Sequence, residues 1–226
     1  MVTAAQVKKY LRPLVDENDD LVLIGRLLVI KPIRHVLRAV LVDRVSWAEG
    51  MRPQWLVHHT FGPFPTYHIG WGHELRSRVW RTTDPDIAEA LRADIRKAAL
   101  PKLRSIKSLE DFVAAVPSTF SGHLWSIDPE VKSLIDIAMG DLESARVLCR
   151  EHICGKPEPG PKEADVTRAE IAGGKRLCAL LADDDHAGLI RTLHEWEEAN
   201  VKALKLAPYW ERTPFPVELK MSAAAR

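Results

Sequence analysis

Two histidines on what reads as one β-hairpin, His58 and His68, have the residue type and spacing best suited to chemistry. Side chains alternate along a strand, so Trp55, Val57, His59 and Phe61 share one face and Leu56, His58 and Thr60 the other. With Phe61 paired to Tyr67 across the Gly62–Thr66 connection, Thr60 lies opposite His68 and His58 becomes its diagonal neighbour. Two nearby imidazoles could bind a metal or shuttle protons close to neutral pH. A hydrolase-type enzyme centred on this face is therefore one reading. No carboxylate falls within the hairpin, however; Glu74 lies just past it and Asp43 sits on another run. Ordinary polar-face histidines are the simpler reading.

Arginines extend the same idea. Val36, Arg38, Val40, Val42 and Arg44 alternate together along the preceding run, and Arg26 lies on the run before that. If Arg38 and Arg44 converge with His58 and His68, the sheet presents a cationic surface for a carboxylate or phosphate, since guanidinium offers a bidentate fork. The competing expectation pairs these arginines with acids or helix C-termini from the rear of the chain. An RNA-binding sheet would need exposed aromatics to stack bases. Trp55, Phe61, Tyr67 and Trp71 alternate like core residues instead, so nucleic acid is not the expected partner.

Other chemistry is thin. Cys149, His152, Cys154 and Cys178 make a conceivable Cys3His zinc set, but their spacing follows no standard pattern. Three cysteines in a chain of 226 residues read more simply as reduced thiols in a cytoplasmic protein. Asp183, Asp184 and Asp185 suit the start of a helix, where carboxylates meet unpaired N–H groups. Nucleophile elbow, phosphate-binding loop, dinucleotide fingerprint and zincin motifs are all missing. The residues call for no cofactor.

The elements that must position these residues change character near residue 104. Up to that point 17 Lys/Arg face 11 Asp/Glu; beyond it 15 face 20, and the whole chain carries +1. A net charge this small argues against a general DNA binder. No apolar run reaches the length of a membrane span. A helix is expected around Val7–Val15, with Pro13 ending or kinking it. Strand-like runs follow at Leu21–Ile30, His35–Val45, Gln54–Phe61 and Tyr67–Trp71. Asp84-Pro85 and Asp128-Pro129 look like helix starts, Ser108–Asp111 has capping-box spacing, and Pro101 interrupts the helix that Asp84 opens. Further helices are expected at 141–153, 165–182 and 186–205, with a Pro/Gly-rich linker at 155–162. A faint likeness between 138–145 and 181–187 fits any two helical hairpins.

The order helix, strands, then a helix ending in Ala99–Leu103 and a Ser-Leu-Glu-Asp-Phe helix, with Trp55–Pro63 before them, resembles an uncharacterised family of small bacterial proteins, a domain of unknown function. The resemblance covers about residues 1–116. It implies an α+β fold and a bacterial source, and it brings neither an activity nor catalytic residues. The expectation is an α+β protein: residues 1–116 with a three- to four-stranded antiparallel sheet and flanking helices, then a helical region over 117–226. Its expected function is non-enzymatic binding, of an acidic protein or a small anion, through Arg38, Arg44, His58 and His68. Oligomeric state is left open.

Overall fold

The computed structural model describes residues 2–47, 49–65, 72–119, 128–158, 160 and 163–224, with the side chains of 116–119 and 224 set aside. It is an α+β protein with a five-stranded antiparallel sheet, flanking helices and a helical C-terminal region. Two compact units divide the chain. One comprises Met1–His58, Tyr67–Phe112 and Tyr209–Glu211; the other His59–Thr66, Val113–Pro208 and Arg212–Arg226.

The first unit opens on helix α1 (Ala4–Asp16). Thr3 caps it, its hydroxyl accepting the Gln6 N–H at 3.2 Å while Gln6 Oε1 accepts the Thr3 N–H at 2.9 Å. Val7, Tyr10, Leu11 and Leu14 form its buried stripe. Pro13 does not stop the helix. The bond it deletes is the one to the Lys9 carbonyl, on the exposed side where water can replace it.

Leu21–Ile30, one strand by its composition, is in fact a hairpin of β1 (Leu21–Ile24) and β2 (Leu27–Ile30). Gly25, at φ 63°, and Arg26 make a two-residue turn of the left-handed kind that hairpins prefer. Strands β3 (Val36–Arg44), β4 (Met51–His59) and β5 (Gly72–Glu74) follow, and the sheet order is β1-β2-β3-β4-β5. The pairs Gln54–Glu74, Trp55–His73 and Leu56–Gly72 lie on the register line expected from Phe61 meeting Tyr67. The expected strand Tyr67–Trp71, His68 included, lies outside the described residues. All of β2, and β4 from Pro53 to His59, are buried, so both faces of the central sheet are covered.

Helix α2 (Ile87–Asp94) passes through a π turn (Ile95–Ala99) into α3 (Leu100–Ser105). Its first helical residue comes three after Asp84, whose carboxylate is held by Arg78 at 2.7 Å. Pro101 does not interrupt the run, because the π turn already removes the regular bond that a proline would break. Ser108 and Asp111 cap α4 (Leu109–Thr119) reciprocally, at 3.1 and 3.2 Å. Residues Tyr209–Glu211 return to this unit: Ile33 donates to the Tyr209 carbonyl at 2.8 Å and accepts from Glu211 N–H at 2.9 Å.

The second unit is helical. Asp128 caps α5 (Pro129–Met139), which ends at Gly140 with φ 78°. Asp141 caps α6 (Leu142–Leu148), which runs into a second π turn, Cys149–Ile153. Helices α7 (Asp165–Ala182) and α8 (His186–Ala203) meet at the acidic turn, where Asp185 caps α8. A last helix, α9 (Pro216–Ala224), follows in the C-terminal tail.

Candidate functional site

The arginines of the sheet have partners close by. Arg26 bonds Asp43 at 2.9 Å, Arg52 stands 3.8 Å from both Asp43 and Glu74, and Arg76 bonds Glu74 at 3.0 Å. Arg26 in the β1–β2 turn, Asp43 on β3, Arg52 on β4 and Glu74 on β5, with Arg76 just past that strand, set alternating charges across the sheet. The basic surplus is compensated in large part within its own unit: Arg78, Arg96, Arg104 and Arg34 also pair with Asp84 and Asp86, Glu17, Asp20 and Glu211 respectively.

Arg38 is half-buried and donates to the carbonyls of Pro32 at 2.8 Å and Ile106 at 3.0 Å. Burial lowers its pKa below the usual arginine range; the charge of Asp20 opposes the shift and that of Arg34 adds to it. Arg44 is exposed at the end of β3 and donates to the Val2 carbonyl at 3.3 Å. His58, at 3% exposure, is enclosed in β4. The sheet therefore does not gather Arg38, Arg44 and His58 on one open face, and His68 lies outside the described residues.

In the second unit, polar side chains converge on one stripe of α8. His194, Glu197 and Asn200 recur every three residues. Glu197, fully buried, accepts the Thr60 hydroxyl at 2.7 Å. Asn200 donates to the carbonyls of Thr60 and Gly62 at 2.9 and 2.8 Å. A hydroxyl this close to a carboxylate has the geometry of an activated nucleophile, but Thr60 is itself 2% exposed, so the pair fixes a loop rather than meeting a substrate. His194 Nε2 lies 2.7 Å from Glu218 Oε1, which also accepts the Phe215 N–H and so closes the start of α9.

Cysteines behave differently from the reduced set expected. Cys149 and Cys178 form a disulfide with Cα atoms 5.5 Å apart, and Cys154 is free and exposed. Two of the three sulfurs the zinc set needs are thus committed to each other, and no cluster of three metal-binding side chains occurs among the described residues.

An open feature among the described residues is a groove of about 460 Å³ between α1 and β1. Ala4, Lys8, Arg12 and Val15 line it from the helix; Val22, Leu23 and Gly25 line it from the hairpin. Val22 and Leu23 point to opposite faces of the sheet, so a cavity touching both lies along the sheet's edge. Lys8 has no ion-pair partner among the described residues, and Arg12 is held only by Asp16, at 2.7 Å, in a solvent-exposed pair. That pair raises the Arg12 pKa, chiefly through its hydrogen bond.

No protein-family model, curated protein or solved structure matches this chain. Any functional reading therefore rests on the groove and on the side chains themselves. No helix among the described residues is long and apolar enough to cross a membrane. Sequence reasoning missed the groove because it read Leu21–Ile30 as unbroken, which hid the edge. The signal was there: Gly25-Arg26 within an apolar run, and Lys8 and Arg12 four residues apart on an amphipathic helix.

Proposed function

We propose that this protein is a non-catalytic binding module that takes an acidic segment of another protein in the α1–β1 groove. The observation that carries the reading is the groove's composition: an apolar floor of Val15, Val22 and Leu23 under two solvent-facing cations. Most other chemistry-bearing side chains are engaged in holding the fold, Arg38 on backbone carbonyls and Thr60, Glu197 and Asn200 on one another. An incoming carboxylate would meet Lys8 directly and could replace the exposed Asp16 on Arg12 at little cost.

Fluorescence anisotropy with a labelled decapeptide of alternating Glu and Val tests this. The peptide should bind, more weakly as salt rises, and its Lys/Val counterpart should not. The Lys8→Glu/Arg12→Glu double variant should reverse that preference. Equal binding of both peptides, or no change in the double variant, would defeat the proposal.

A further inference from the structure

We infer that the partner binds as an added β-strand, its backbone pairing with the outer edge of β1 while its acidic side chains meet Lys8 and Arg12. This rests on the binding reading above and deepens it by specifying an extended backbone as the recognised group.

The ladder determines which backbone groups are on offer. Lys31 N–H donates to the Asp20 carbonyl at 2.8 Å, so Asp20 and Lys31 are a hydrogen-bonded pair. Bonded and non-bonded pairs alternate in an antiparallel ladder. Val22–Val29 and Ile24–Leu27 are then bonded, while Leu21–Ile30 and Leu23–Leu28 are not. Leu23 consequently turns both its N–H and its C=O away from β2, toward the groove it lines. Leu21 turns its C=O the same way, its N–H being taken by the Asn18 carbonyl at 3.0 Å.

Native sheets guard such edges with charge, proline or a bulge. Strand β1, Leu-Val-Leu-Ile, is short but carries no charge, proline or bulge. At the opposite edge of the described sheet, β5 is three residues long and carries Glu74 in ion pairs with Arg52 and Arg76. The cations of α1 stand across the groove from the unguarded edge. They select by charge among the strands that could pair there, which points to an acidic partner segment in preference to a second copy of this edge. Ala4 to Val15 spans roughly 16 Å of helix, room for about five extended residues. Strand addition of this kind draws affinity from main-chain bonds and specificity from side-chain pockets.

The test uses the full chain and the Glu/Val decapeptide. Leu23→Pro deletes an N–H that the ladder does not use, and proline is tolerated where a strand's N–H faces outward. Binding should weaken roughly tenfold or more in this variant. The same loss should follow N-methylation of alternate peptide residues, a probe that leaves the protein untouched. Hydrogen exchange at the Leu23 amide of the wild-type protein should slow on peptide binding. If the peptide binds but N-methylation and the Leu23 amide show no effect, strand addition is wrong and the binding-module reading survives. If the wild-type protein fails to bind, or if Lys8→Glu/Arg12→Glu binds unchanged, both fail. A wild-type dimer that Leu23→Pro dissociates would overturn the inference, because a second copy would then occupy the edge.

Discussion

Reducing the Cys149–Cys178 bond should loosen the second unit by an amount that the chain itself sets. The two residues are 29 apart in sequence, and closing a loop of that length removes denatured-chain entropy worth about 3.6 kcal/mol at 25 °C. Reduction leaves every side chain in place, so no cavity term enters, unlike in a Cys→Ala variant. Because the chain has two compact units, a single melting curve would blend their responses. Hydrogen exchange resolved by segment avoids this. Amides of α7 that exchange by opening of the second unit should lose roughly 400-fold protection when a phosphine reductant is added. Amides of α1 and β3 supply the internal reference. Alkylation under non-reducing conditions should tag Cys154 alone, and after reduction all three cysteines. Three tags without reductant, or unchanged α7 protection after reduction, would refute the reasoning.

Two further perturbations address side chains whose roles differ from first appearance. Arg38→Met should lower the stability of the first unit by about 2–4 kcal/mol, since it leaves two carbonyls without their donor. Arg38→Lys should recover only part of that loss, because an ammonium lacks the planar fork. Urea unfolding measures both, and unchanged stability in Arg38→Met would show that the guanidinium is not structural. Asp128 has its pKa raised, chiefly by burial, against the pull of the Val131 N–H. Between the unfolded value of ~3.9 and the higher folded value, the native state holds the extra proton, so ionisation above that window costs stability. Asp128→Asn keeps an acceptor for Val131 and removes the charge. Its stability relative to wild type should rise with pH through the window and then level off; a pH-independent difference would contradict this.

Much of the fold could be read because its signals are local. Ser108 with Asp111 and Asp128 with Pro129 each satisfy a helix end within four residues, and each is where the spacing put it. What escaped depends on contacts remote in sequence. Arg26 looks like a free cation until Asp43 is brought beside it by a turn and two strands. Cys149 and Cys178 look like separate buried thiols until α6 and α7 lie side by side. Gly25 was the costly omission, because a two-residue turn inside an aliphatic run leaves the hydrophobic pattern intact while creating a new sheet edge. The groove belongs to that edge, so it could not be seen without the turn.

The two π turns carry a lesson for anyone aligning this chain with others. Each winds one residue more than an α-turn holds, closing Leu100 N–H on Ile95 and Cys154 N–H on Cys149. Ile95 and Leu100 are both buried although five positions apart, a separation at which a regular helix would turn one of them aside. A counterpart one residue shorter at 95–99 or 149–153 would relax to ordinary helix and keep its downstream face. Single-position gaps thus belong inside these helices, where alignment habits forbid them.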